Sequence, residues 1–282
     1  MKGNYRMKAV IMAGGKGTRL STVLKDIPKP MVDLAGRPLL EHQIINLKEN
    51  GITDIILVIG YLGNVIQDYF KDGSSLGVNI SYFKEEKPLG TAGALWYLKE
   101  QLQDDFILLF GDLFVNINFT RFYDFHKKNG ARITLYTHPN SHPYDSDIIV
   151  SDENNVVVDW SYKNSERTQD YKNQVNAGVY VVHPSVLDTI SENEKTDLEK
   201  QVITQLIPSH SIYAYACTEY VKDIGTPERL KKVEHDYMQG ICERRNLRNK
   251  QKCIFLDRDG TINKHVGFLN EAKRMELEDG AA

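Results

Sequence analysis

Short apolar runs alternate with amphipathic segments along the first half of the chain, the pattern of strands and helices in an α/β domain. Residues 8–12 form an apolar run that leads straight into Gly14-Gly15. Leu40, Ile44 and Leu47 fall at i, i+4 and i+7, which predicts a helix over residues 37–50 closed by Gly51. Residues 55–59 are continuously apolar, which suits a strand in the middle of a parallel sheet. A short helix over 65–70 and a strand over 78–83 follow, and Thr91 stands where it can cap a helix running to about residue 102. Residues 106–110 make the most apolar run and end at Gly111-Asp112. Phe119, Phe122, Tyr123 and His126 mark one face of a helix that ends near Gly130.

From residue 133 the texture changes. Strand-like pieces at 133–137, 147–151, 156–160 and 175–182 are separated by polar turns. They are expected to extend the sheet and to form a lid over one end. Thr226-Pro227 has the form of a helix start, a capping residue followed by proline, and Leu230, Val233 and Tyr237 give that helix an apolar stripe. Residues 240–252 break the pattern, with Arg244, Arg245, Arg248, Lys250 and Lys252 among few apolar residues, and are expected to be a solvated linker. A fresh apolar strand at 253–256 then ends in Asp257-Arg258-Asp259-Gly260-Thr261. The expected organisation is a domain over 1–239, a linker over 240–252, and over 253–282 the opening of a second domain, too short to fold alone, so that the chain looks truncated.

Composition narrows the class. With 282 residues, 41% hydrophobic and 26% charged, the chain resembles an ordinary soluble protein with a real core. It contains no apolar run near the roughly 20 residues that span a bilayer, and its start lacks the apolar stretch of a secretory signal. A net charge of -3 gives no sign of a nucleic-acid or membrane-surface partner. Three cysteines without a C-x-x-C pair argue against a disulfide framework and for a reducing cytoplasm.

The strongest chemical signal is the run Ala13-Gly14-Gly15-Lys16-Gly17-Thr18-Arg19-Leu20 after the first strand. Its three glycines let the backbone pass close to an anion and turn N–H groups toward it, while Lys16 and Arg19 add charge. No Gly-Lys-Ser/Thr follows at Walker spacing, and Leu20 stands where a dinucleotide fingerprint needs its last glycine. A tight turn with incidental charges is the plain alternative. Pro28-Lys29-Pro30 comes next, two prolines expected to hold the backbone extended around one lysine. Asp112, at the end of a buried strand, lies where open α/β sheets bind ligands.

The ordered set Gly14-Gly15-x-Gly17-Thr18-Arg19-Leu20, Pro28-Lys29-Pro30, Leu89-Gly90-Thr91-Ala92-Gly93, Gly111-Asp112, Asn176-Ala177-Gly178 and Asp223-Ile224-Gly225-Thr226-Pro227 resembles the signature of sugar-1-phosphate nucleotidylyltransferases. Within them the chain is most similar to D-glycero-D-manno-heptose 1-phosphate guanylyltransferases. The resemblance implies a Rossmann-like mixed sheet flanked by helices, the nucleotide-diphospho-sugar transferase fold. It also implies a reaction in which a sugar 1-phosphate attacks the α-phosphorus of a nucleoside triphosphate, with no covalent enzyme intermediate. By the same resemblance Arg19, Lys16 and Lys29 would be catalytic cations. Ala13, Gly14, Gly15, Gly17, Thr18, Glu86, Gly90 and Thr91 would hold the nucleotide, and Lys163, Asn176 and Gly178 the sugar phosphate. Asp112 and Asp223 would bind Mg²⁺, a hard ion suited to few carboxylates and water. A helix start around Thr91, a turn asparagine at 176 and a capping role for Asp223 remain the plain alternatives.

Two departures from the family pattern stand out. Residues 21–26 replace its Pro-Leu-Thr, and Tyr162 replaces the acidic residue before Lys163. The run Asp257 to Thr261 resembles the first motif of haloacid-dehalogenase-type phosphatases, closest to heptose-bisphosphate and histidinol-phosphate phosphatases. There Asp257 would be the nucleophile and Asp259 the general acid. The later motifs of that family are missing, so no phosphatase activity is expected from this chain. Partners are expected to be the two substrates, with a homo-oligomer left open.

Overall fold

A computed structural model describes residues 7–15, 27–141, 143–167 and 171–281. The chain divides into two units, Met1–Asn249 and Lys250–Ala282. In chain order the first begins with β1 (Lys8–Met12), β2 (Asp33–Leu34), β3 (Arg37–Pro38), α1 (Leu39–Glu49), β4 (Asp54–Ile59), α2 (Gly63–Phe70) and β5 (Asn79–Lys84). It continues with α3 (Gly93–Tyr97), β6 (Phe106–Phe110), β7 (Leu113–Asn116), α4 (Phe119–Asn129), β8 (Ile133–His138), β9 (Ile148–Ser151) and β10 (Val157–Ser161). Then come β11 (Val175–Val182), α5 (Thr204–Leu206), β12 (Ile212–Ala216), β13 (Tyr220–Asp223), α6 (Pro227–Met238) and α7 (Ile241–Arg245).

The central strands explain the continuous apolar runs. β1 lies between β4 and β6, parallel to both, and β5 continues the parallel set beyond β4. Successive side chains point to opposite faces. Ile55, Leu57 and Ile59 of β4 therefore enter one core cluster, and Ile56 and Val58 enter the other. Full burial of such a side chain contributes about 1.5–3 kcal/mol, so neither face of these strands tolerates a charge. Leu40, Ile44 and Leu47 of α1 pack on the first cluster, as their spacing predicts.

The sheet extension expected of residues 133–182 holds: β11 pairs antiparallel with β6, β8 with β11, and β9 with β10 and β11, so these strands widen the same sheet. Several expectations change. α1 begins at Leu39, because Arg37 precedes a proline, a position that disfavours helix, and instead pairs with Leu34. Residues 240–249 are no solvated linker. Cys242 of α7 is buried, Asn246 is fully buried, and Arg248 donates to Glu243 at 2.8 Å and also pairs with Glu49.

In the second unit, residues 253–256 form no strand, and Phe255 is 93% exposed. An apolar run becomes a strand only where another strand supplies a ladder. The bridges Asp259 to Asn263 and Asn263 to Leu277 are what this unit contains instead. Among the described residues no helix is long and apolar enough to cross a membrane.

Candidate active site

The carboxyl ends of β1, β4, β5 and β6 open onto a cleft of about 950 Å³, the position where open parallel sheets bind ligands. The first residue past β1, β4 and β5 borders it, Ala13, Gly60 and Glu85, and so do Phe110 at the end of β6 and Asp112 just beyond it. The ladder continues a step beyond the strands, Ala13 N–H donating to the Val58 carbonyl at 2.8 Å and Gly111 N–H to the Met12 carbonyl at 3.0 Å. A Cβ on Gly14 would stand 2.6 Å from Glu85 Oε2 and 3.3 Å from the Gly60 nitrogen, so a larger residue would have to displace the Glu85 carboxylate. Lys16, Gly17, Thr18 and Arg19 lie outside the described residues.

Lys29 and Asp112, 83 positions apart, meet on the cleft floor, with Lys29 Nζ donating to Asp112 Oδ2 at 2.7 Å. Pro28 is extended, but Lys29 opens a 3₁₀ turn, Lys29–Met31, rather than an extended segment. The lysine side chain is only 11% exposed, which confines its ammonium to this spot. Asp223 is brought close from another direction. β13 pairs with β7, Asp223 lies opposite Leu113, and Ile224 N–H donates to the Asp112 carbonyl at 3.1 Å. Burial pushes the Asp223 carboxyl up, but Arg229 at 2.6 Å, the Gly225 N–H and the charge of Lys29 together hold it below the ordinary range.

Glu85, which the sequence reading passed over, faces the glycine loop. Its Oε1 accepts from Leu89 N–H at 3.1 Å, and burial raises its pKa. Glu86 is exposed on the rim. The signal that finds Glu85 is its place one residue past β5.

Gly90 and Thr91 serve a purpose their motif did not reveal. Segment 89–92 is zipped to 196–198: Thr196 N–H donates to the Leu89 carbonyl at 2.9 Å and Ala92 N–H to the Thr196 carbonyl at 3.0 Å. A Cβ on Gly90 would stand 2.4 Å from the Thr196 carbonyl oxygen, and its φ is +82°. Thr91 caps no helix. Its hydroxyl accepts from Leu198 N–H at 2.7 Å, and α3 starts after Ala92 with no side-chain cap.

That zip leads into a π-helical turn, Leu198–Ile203, whose start is capped by Asp197. Glu199 on this turn forms the opposite wall of the cleft. Asn176 Nδ2 donates to Glu199 Oε1 and to the Tyr180 hydroxyl, each at 2.7 Å, and Tyr180 donates to Glu199 at 3.0 Å. Burial pushes the Glu199 carboxyl up.

Residues 8–240 match the family described as nucleotidyl transferase. The chain belongs to that family. It is 34% identical over 247 residues to a mannose-1-phosphate guanylyltransferase of Mycobacterium tuberculosis, covering 86% of this chain and 68% of that protein. It is also 34% identical over 242 residues to a mannose-1-phosphate guanyltransferase of Candida albicans, covering 84% and 64%. The chain thus spans about two thirds of these relatives' length. The crystal structure of HddC from Yersinia pseudotuberculosis shares the fold at TM-score 0.69 and 24% identity, over 82% of this chain and 99% of that one. The same protein has been solved complexed with GMP-PN.

Other positions of the nucleotidyl transferase signature stand apart from the cleft floor. Lys163 is exposed, and its backbone N–H donates to Asp147 Oδ1 at 2.9 Å. Tyr162 packs on the second core cluster. Gly178 lies behind the wall, where a Cβ would meet the Phe110 ring at 3.0 Å. In the second unit Asp257 accepts from Arg258 N–H at 2.8 Å, and Arg258 Nε donates to Asp259 at 2.9 Å.

Proposed function

We propose that this chain transfers a guanylyl group from GTP to D-glycero-α-D-manno-heptose 1-phosphate, releasing pyrophosphate. The observation that carries the reading is the Lys29–Asp112 pair beside the glycine loop on the cleft floor. A phosphate oxygen of the sugar attacks the α-phosphorus in line, and the bond to the β-phosphate oxygen breaks. Such a step asks for cations, N–H groups and orientation rather than a protein nucleophile. Lys29 meets the α-phosphate, Gly14 and Gly15 give the triphosphate close backbone approach, and Lys16 and Arg19 take the leaving pyrophosphate. Glu85, with Glu86 outside it, is in reach of a base edge. Asn176 and Glu199 offer an amide and a carboxylate to sugar hydroxyls, and Lys163 is the cation for the sugar phosphate.

Asp112 and Asp223 fit Mg²⁺ by donor chemistry, two hard carboxylates on adjoining backbone. Among the described residues no group of three or more His, Cys, Asp or Glu gathers as a metal cluster. A two-carboxylate site suits an ion that keeps its water. When bound, the ion would neutralise phosphate charge.

Heptose as the sugar rests on the phosphatase-like run at Asp257 to Thr261. Mannose 1-phosphate is the second reading, favoured by what the 34%-identical relatives are named for. The test is pyrophosphate release with Mg²⁺, crossing GTP, ATP, CTP and UTP against heptose, mannose and glucose 1-phosphates. Turnover with GTP and the manno-heptose phosphate is expected, and Asp112→Ala should lower it about 100-fold or more. Turnover with mannose 1-phosphate alone replaces the sugar. A rate within a few-fold in Asp112→Ala removes that residue from catalysis, and silence with nucleotide-sugar binding intact points to a sensor on this fold.

A further inference from the structure

Helix α1 and the residue that ends it carry amides at helical spacing, Gln43, Asn46 and the C-cap Asn50, along the side toward β7. Asn46 Nδ2 donates to the Ile117 carbonyl at 3.2 Å and Asn46 Oδ1 accepts from Ile117 N–H at 3.1 Å, pinning the chain just beyond the far end of β7. Gln43 grips the near end. Its Nε2 donates to the Phe110 carbonyl at 2.9 Å and to the Leu113 carbonyl at 2.6 Å, the two that bracket Gly111-Asp112. Gln43 is fully buried and its Oε1 has no partner. The side chain is thus a two-proton donor whose acceptor half is left unsatisfied, an arrangement that costs stability and serves only the two carbonyls. A carboxylate at 43 would face both carbonyls with no proton to give, and an aliphatic side chain would leave both unpaired.

Among the described residues Asp112 has no other clamp of this kind on both sides. Its own carbonyl accepts from Ile224, and Gly111 N–H donates to Met12, so each tie fixes one point while Gln43 spans the residue. We infer that Gln43 is a positioning residue, which sets the direction in which the Asp112 carboxylate leaves the backbone and thereby the place of the Lys29–Asp112 pair, without touching substrate. The inference rests on the reaction proposed above.

The experiment pairs Gln43→Met with Asn46→Leu, two losses of a buried amide on the same helix. It reads hydrogen exchange at the Gly111 amide together with kcat and KM for GTP in pyrophosphate release, with the unsubstituted protein measured first. Gln43→Met should speed exchange at Gly111 about tenfold or more and lower kcat about 10- to 100-fold, with KM within about threefold. Asn46→Leu should leave both the Gly111 exchange and kcat within about threefold. Equal loss of kcat in the two variants, or an unchanged kcat in Gln43→Met, overturns the inference while the reaction stands. An unsubstituted protein silent with every substrate pair overturns the reaction and this role with it. If Gln43→Met does not fold, Gln43→Asn, one methylene shorter, is read for the same outcomes.

Discussion

Glu199 shows how much one carboxylate's surroundings decide. It is held by Asn176 and Tyr180 where burial disfavours its charge, so its pKa stands above the ordinary 4.5. Below that value the acid is protonated in folded and unfolded chains alike. As pH rises, the unfolded chain sheds its proton first, so the folded state loses stability until the raised pKa is passed. Glu199→Gln keeps an acceptor for both neighbours and never ionises. The stability of the natural chain relative to this variant, read from urea midpoints, should fall as pH rises from about 4 toward neutrality. A gap that does not change with pH would mean that Glu199 is solvated. Glu85, raised by burial as well, is common to both proteins and cancels. Lys29 and Asp112 were both legible from their motifs, because each falls at the end of a pattern that sequence displays. Glu85 was not, since the strand read from the sequence ends at residue 83 and leaves Glu85 and Glu86 alike in the loop after it.

At the scale of elements, the zip between 89–92 and 196–198 joins the two walls of the cleft. Gly90 sits at its tightest point, with positive φ and no room for a Cβ beside the Thr196 carbonyl. Gly90→Ala should therefore cost about 2–4 kcal/mol in chemical denaturation, from backbone strain and steric clash together. A loss under about 0.5 kcal/mol would show that these segments separate in solution. The glycine-bearing motif was visible in the sequence, but its partner lies some hundred residues away. The helix expected to run to residue 102 ends at Tyr97, and the 3₁₀ turn Lys99–Gln101 follows it.

For the whole molecule, the boundary of the first unit is the testable point. Leu247 N–H donates to Glu219 at 2.7 Å, and that buried carboxylate also accepts from Asn118 N–H at 2.9 Å and Tyr136 at 3.1 Å. Cys242 closes the cluster around Leu39, Phe114 and Ile224. A chain ending at Gln239 should be less stable than one ending at Asn249 by about 2–4 kcal/mol, because it uncovers that cluster and strips a donor from a buried charge. Equal urea midpoints would return residues 240–249 to a linker. The arginine run hid α7, since a charge-rich stretch reads as solvated until its partners, Glu243 and Glu49 for Arg248, are known. By itself the sequence determined the core strands of the α/β sheet, their two buried faces and the residues at their ends, because period and punctuation are local properties of the chain. Tertiary structure alone decided that Glu85 faces the loop and that Gln43 spans Asp112. Those outcomes depend on register and packing between segments far apart in the chain, which no local pattern records.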